Sequence, residues 1–310
     1  MRIGAVRSGL VEAVHDVSVV AVADGRVIAG SGDPGDPFFL RSAAKPFQGT
    51  ISQEFGADLG LEQLAVACGS HGAEPVHVAH VREMLGGVGL DERHLLCPPS
   101  RPSSLTADRR LAAAGDREER RVFHNCSGKH AAMLRACVAN DWPLTYTDPD
   151  HPLQQSILGF VAESTGVDPT PTGIDGCGVP TLRSTVEGLA RGFARFATDP
   201  RMAEVGEAMG RYPALTAAGG RNDALLAQWG SVTNKIGAMG CIGVAHPADI
   251  GLAAKCWSGV FEVAVMAVGT MLQRLGLLTD HPAAMLADVL APPVLGGGRP
   301  VGRFEVRDPA

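Results

Sequence analysis

Five short stretches of this chain hold residue types suited to acyl transfer. In Arg41-Ser42-Ala43-Ala44-Lys45-Pro46, Ser42 and Lys45 stand three apart at a predicted helix start, so they share one face, one turn separated. A serine hydroxyl is a weak nucleophile until a base takes its proton. A lysine kept out of water can be that base, because burial disfavours its charged form. The unpaired N–H groups and positive dipole end of a helix start also suit a developing oxyanion. The same spacing arises when a serine N-cap precedes a solvated lysine, so the pair gains weight only from its neighbours.

Those neighbours are polar and glycine-rich. Cys68-Gly69-Ser70-His71-Gly72-Ala73-Glu74 puts Ser70 and His71 just after an apolar helix, with small residues that let backbone approach a ligand. His124-Asn125-Cys126-Ser127-Gly128-Lys129-His130 opens an alanine-rich helix with Cys126, Lys129 and His130 on one face. Asp175-Gly176-Cys177-Gly178 is a tight turn offering a carboxylate and a thiol. Two thiols, a carboxylate and a nitrogen can make a tetrahedral zinc site, and two buried free cysteines would look the same. For the nitrogen, ligand chemistry prefers His130 to Lys129, whose ammonium must first lose a proton. Lys235, in Asn234-Lys235-Ile236-Gly237, sits on a predicted strand beside glycine, comparable to the K-T-G cation that faces the nucleophile in S-x-x-K enzymes.

The elements that must position these residues read as a strand pair, a helical middle, a second strand block and a late helix. Val14–Val22 is valine-rich, Asp24-Gly25 is a hairpin turn, and Arg26–Ala29 returns as a second strand. Helical spacing covers Ser42–Phe55, Leu61–Ala67, Val76–Leu85, Lys129–Ala139, Pro152–Thr165, Thr181–Ala197 and Met202–Met209. Ser231–Ile236, Cys241–Ala245 and Ile250–Cys256 read as a meander, Val260–Leu275 as an amphipathic helix, and the Pro/Gly-rich tail from Ala291 as loosely packed. The expectation is one α+β domain over residues 1–310. Its antiparallel sheet joins strand blocks at 14–31 and 231–256, with a helical lobe of about 42–210 between them.

Composition narrows the function. A net charge of −6 argues against nucleic acid or an anionic membrane as partner. The apolar runs are too short or interrupted to span a bilayer. The start of the chain has no apolar signal core, and seven scattered cysteines suit a reducing compartment. Cytoplasm is the expected location.

Taken in order, R-S-A-A-K-P at Arg41–Pro46, C-G-S-H at Cys68–His71, N-C-S-G-K-H at Asn125–His130, D-G-C-G-V-P-T at Asp175–Thr181 and K-I-G-A at Lys235–Ala238 resemble the asparaginase II family, the zinc-containing Rhizobium inducible type. The resemblance runs from about Gly9 to Leu275 and also takes in Asp150–Gln154. It implies a serine β-lactamase/glutaminase-like fold, hydrolysis of L-asparagine to aspartate and ammonia, and a homodimer. Ser42 with Lys45 and Ser70 with Lys235 would form two Ser–Lys pairs. Arg41, His71 and Asp175 would meet substrate. One Zn²⁺ per chain, structural or site-organising, would be held by Cys126, Lys129 and Cys177, with His130 in reserve. The chain departs from the family pattern at Met239 and at Lys255-Cys256-Trp257-Ser258-Gly259, where acidic residues are expected. Other small amides, or transfer of the acyl group to another amine, therefore stay open.

Two rivals follow from the same residues. His71, Glu74, His77 and His80 repeat at three-residue intervals and could serve a metal-dependent hydrolase, although the pattern is not H-E-x-x-H. The substitutions at Met239 and Trp257 also admit a catalytically silent binder of small amides.

Overall fold

The computed structural model describes residues 1–217, 221–278 and 280–307. The main sheet has β1 (Arg2–Arg7), β2 (Leu10–Ala23) and β3 (Arg26–Ser31) from early sequence. From late sequence come β8 (Thr233–Gly237), β9 (Cys241–His246), β10 (Ile250–Cys256), β11 (Pro293–Gly296) and β12 (Arg299–Val306). Two-residue strands clip loops together: β4 (Phe38–Phe39) on β7 (Arg183–Ser184), and β5 (Gly173–Ile174) on β6 (Pro180–Thr181). The sheet order is β11-β12-β1-β2-β10-β9-β8, with β3 also on β2, and every pairing is antiparallel. Early and late strands thus meet at β2–β10, where Val17 lies opposite Cys256.

The valine run of β2 is apolar on both faces because both faces are covered. Val17, Val19 and Ala21 join a core with α11 (Phe261–Arg274), while Val20 and Val22 join the core of the helical lobe. That lobe comprises α1 (Lys45–Glu54), α2 (Leu61–Cys68), α3 (Pro75–Gly86), α4 (Leu105–Ala113), α5 (Ser127–Ala139), α6 (Pro152–Thr165), α7 (Val186–Ala194) and α8 (Pro200–Arg211). The short α9 (Pro213–Thr216) and α10 (Asn222–Gly230) lead back to β8, and α12 (Asp280–Met285) and α13 (Ala287–Leu290) follow α11. Helix α7 lies against the sheet because Gly243 and Gly251 leave room for it: a Cβ at either would press into the Phe193 ring or the Ala190 carbonyl.

Three expectations need correction. The tail after Ala291 is a hairpin added to β1, with Phe304 and Val306 packed on the α11 core and Gly297 and Gly298 supplying the positive φ of its turn. Alternation at Phe304 and Val306 was present in the sequence, under a composition that suggested a loop. The helix expected at Thr181–Ala197 shortens to α7, since residues 180–184 form β6 and β7 and Thr185 caps α7 by accepting from the Gly188 N–H. Finally, Ser42 precedes α1 in a 3-10 turn, Arg41–Ala44, and Lys45 is the first residue of the α-helix.

Candidate active site

Ser42 is positioned from both sides. The chain enters its turn through Leu40, whose N–H donates to Leu182 O at 2.9 Å. Arg41 has φ +50°, a conformation that costs a non-glycine residue about 1–3 kcal/mol. Its guanidinium is tied to Asp175 Oδ1 through Nε and Nη2, both at 2.7 Å, in a part-buried pair. On the other side β8 arrives at Gly237, where any Cβ would press into the Leu40 carbonyl oxygen and crowd the Ala43 N. Gly237, two residues after Lys235, is therefore what lets β8 touch the serine's turn.

Lys45 is fully buried, and its Nζ meets Gly69 O, Ser70 Oγ at 3.0 Å and Asn125 O at 3.3 Å. Burying an ammonium costs several kcal/mol; among the described residues no carboxylate contacts this one, and the Cys126 thiol is the main group that favours its charge. Burial lowers its pKa. Nζ donates to the Gly69 and Asn125 carbonyls and to the Ser70 hydroxyl oxygen; when the amine is neutral the last contact can reverse, its lone pair taking the Ser70 proton. Gly69 allows the approach, since a Cβ there would lie 2.9 Å from the Leu215 and Thr216 carbonyls. Ser70 N–H then donates to Thr216 O at 2.9 Å. Lys45 thus reaches Ser70, whereas the pairing implied by the resemblance joins it to Ser42.

His71 is wholly buried, and both ring nitrogens are used inside the protein. Nδ1 accepts from the Ala73 N–H at 3.2 Å, so Nε2 carries the proton and donates to Ser127 Oγ at 3.1 Å. Burial, helped by His77 and Lys45, holds the ring neutral well below its usual range. His71 braces the Ser70 loop against α5.

Lys235 is also buried, and its Nζ donates to Ile236 O at 3.0 Å. Burial, with Lys45 and Arg221 adding repulsion, brings its pKa down to about 7. Arg221 belongs to none of the sequence motifs, yet it donates to Ser70 O at 3.2 Å and holds Asp223 by two bonds of 2.9 and 2.7 Å. A lone G-R between helices carries no signal of its own. The acceptor carbonyls of Gly69 and Asn125 are equally silent in sequence, since any residue type supplies a carbonyl.

The sulfur cluster adjoins these groups. Lys129 Nζ lies 3.2 Å from Cys177 Sγ, and a hydrogen bond with Cys177, against opposing burial, draws the Cys126 thiol well below its usual range. Burial works against the charge of Lys129, but Cys177, Cys126 and Asp175 outweigh it and its pKa rises. Burial likewise opposes Asp175, and Lys129 and Arg41 outweigh it, lowering its pKa. Asp175 thus links the Ser42 turn to the cysteines. Among the described residues no three Cys, His, Asp or Glu side chains converge as a metal site. A Cys–Lys–Cys set is nonetheless two soft sulfurs and a nitrogen. Beside it, His130 has a buried Nε2 without a hydrogen-bond partner, while its Nδ1 lies 2.9 Å from the Tyr146 hydroxyl. These donors fit zinc.

The residues of the rival metal reading form no metal-holding group among the described residues. His77 is stacked on His71, His80 pairs with Glu62 and Glu83, and Glu74 accepts from Ser104.

The family model described as L-asparaginase II matches residues 3–306. The chain belongs to the L-asparaginase II family. With that membership it is a hydrolase acting on amides, and the α+β architecture agrees with the expectation. Among curated proteins none matches. Solved structures it is similar to include Mglu, at 14% identity over 84% of this chain and 67% of that one, TM-score 0.39. A second Mglu structure, in its tris and glutamate form, is covered over 62% of its length. The covalent complex of Bacillus subtilis glutaminase YbgJ with 5-oxo-L-norleucine matches at 13% identity, 84% and 88% coverage, TM-score 0.41. A putative β-lactamase from Bacteroides dorei DSM 17855 matches at 14% identity, 83% and 93% coverage, TM-score 0.46. No helix among the described residues is long and apolar enough to cross a membrane.

Proposed function

We propose that this member of the L-asparaginase II family hydrolyses a small linear amide, L-asparagine first among them, through an acyl-serine intermediate. The observation that carries this is the buried Lys45 amine set between two carbonyls and a serine hydroxyl, one turn from Ser42. Ser42 Oγ attacks the side-chain carbonyl carbon and its proton passes to neutral Lys45. Backbone N–H groups at the start of the Arg41–Ala44 turn would hold the oxyanion. Lys45 passes that proton through Ser70, 3.0 Å away, to the leaving nitrogen, and Lys235 would keep Ser70 supplied. The C–N bond breaks, ammonia departs, and water cleaves the ester. Arg41 and Asp175 hold the turn and offer charge to the substrate.

A second reading has one observation in its favour: the hydroxyl within reach of Lys45 is that of Ser70, which would then take the acyl group itself. Rapid quenching with substrate and peptide mass mapping separates the two. Acyl mass on the Ser42 peptide, lost in Ser42→Ala, supports the first; acyl mass on the Ser70 peptide overturns it. No acyl adduct on either serine, with ammonia still released, overturns both.

Zinc, as the family resemblance suggests, would be held by Cys126, Lys129 and Cys177, with His130 Nε2 nearest as a further donor. Its chemistry there would be a fixed positive charge that orders the Asp175 turn. Elemental analysis of purified protein is expected to give one zinc per chain. Cys126→Ser should weaken the metal by at least the roughly 10–100-fold that even outer contacts cost. Protein with no zinc after purification in zinc-supplemented medium would remove the metal from this reading. A homodimer and a cytoplasmic location complete the proposal.

A further inference from the structure

Arg221 stands at the start of α10, outside every motif that drew attention in the sequence, yet it touches the second serine's backbone. Its Nη1 donates to the Ser70 carbonyl at 3.2 Å, while Nε and Nη2 grip the two oxygens of Asp223. Asp223 is almost fully buried, and its own carbonyl accepts from Asn234 Nδ2 at 2.9 Å. Asn234 is the residue before Lys235 on β8. One continuous set of hydrogen bonds therefore runs from the Ser70 loop, through Arg221 and Asp223, to the strand that carries Lys235. A planar fork held on two carboxylate oxygens has little rotational freedom, so its remaining donor fixes the Ser70 carbonyl in place.

We propose that Arg221 is a positioning residue for the reaction: held by Asp223, it fixes the Ser70 loop and sets the charge that faces Lys235. This rests on the reading above that Ser70 and Lys235 carry protons in turnover. The charged and titratable groups around Lys235 are Lys45 from α1, Arg221 and Asp223 from the α10 start, and the thiols of Cys68, Cys126 and Cys241. Arg221 disfavours charge on Lys235 and Asp223 favours it, so removing either moves Lys235 in opposite directions.

The test is the pH profile of kcat/KM for ammonia release, with folding checked by thermal melts. The Lys235 limb is identified as the one that Lys235→Met removes from the wild-type profile. Arg221→Met is expected to raise that limb by about one pH unit and Asp223→Asn to lower it by a similar amount. Arg221→Met should also lower kcat about 10–100-fold with KM little changed, as a displaced loop does. Arg221→Lys keeps the charge and loses the fork, so its limb should stay at the wild-type pH while kcat falls. Once Lys235→Met has shown that it alone abolishes the wild-type limb, limbs of Arg221→Met and Asp223→Asn that move together or stay still overturn the role of Arg221 alone. Should Arg221→Met fail to fold, an unmoved or raised limb in Asp223→Asn is enough to overturn it. Wild-type turnover by Lys235→Met overturns the underlying reading instead.

Discussion

Replacing Lys45 with methionine is expected to lower kcat for amide hydrolysis by about 10⁴-fold, the upper range for loss of a positioned general base, while raising thermal stability. The two effects have one cause. Methionine has nearly the shape of lysine without its polar head, and the position is completely buried. The amine's interior pKa is lowered by burial first, with Lys129 adding repulsion, so the folded protein holds a group the unfolded chain solvates more easily. Because the folded pKa lies below the unfolded one, the unfolded state binds the extra proton between the two. Stability in that window rises with pH toward the ordinary lysine range, and below the folded pKa the penalty is complete. Removing the amine removes this slope. The Gly69 and Asn125 carbonyls lose a donor, which offsets part of the gain, leaving a net about 0.5–2 kcal/mol of the kind seen when function-bearing polar groups are replaced. Melting curves and steady-state ammonia release check both halves. An inactive variant that melts lower, with no change in pH slope, would mean that the amine is a structural strut.

Gly237→Ala is expected to damage catalysis from a residue with no side chain. A Cβ there meets the Leu40 carbonyl, a backbone atom that cannot rotate away. Either β8 or the 3-10 turn must move, and both carry the chemistry: Lys235 on the strand, Ser42 on the turn. A displacement near 1 Å costs about 10²-fold in rate, and overpacking costs about 1–3 kcal/mol. By contrast, Gly60, which meets nothing within 4 Å, should accept alanine with little change in rate. Equal rates for Gly237→Ala and the wild type would show that the turn and strand are not held in register by this contact. A crystal structure of the variant would locate the shift.

Much of this was legible in the sequence because its signals are local. The valine run of β2, the Asp24-Gly25 turn and the meander over β8–β10 follow from alternation and turn chemistry. Arg41, Ser42, Lys45, Ser70, Cys126, Lys129, Asp175, Cys177 and Lys235 were singled out by type and spacing, and the fold brings them into one neighbourhood. What stayed hidden depends on contacts between distant segments. The Lys45–Ser70 approach needs Gly69 beside α9, and Arg221 matters only because its fork meets Asp223 and a carbonyl 151 residues away. His71, for which the resemblance implied substrate contact, has both ring nitrogens hydrogen-bonded inside the protein, a use that depends on Ser127 and Ala73 and leaves no mark in the sequence.

The pairing of Val17 with Cys256 also dictates when this protein can fold. A ribosome adding about 5–20 residues per second needs roughly 12–50 s to travel from one partner to the other. Through that interval β2 and β3 have emerged with a valine-rich edge open, while the helices of the lobe are already able to collapse locally. That edge stays without its β10 partner until the interval ends, and an open apolar strand edge invites pairing with other chains. Yield of active enzyme should therefore respond to slower translation and trigger-factor-type chaperones more than to the stability of the finished fold.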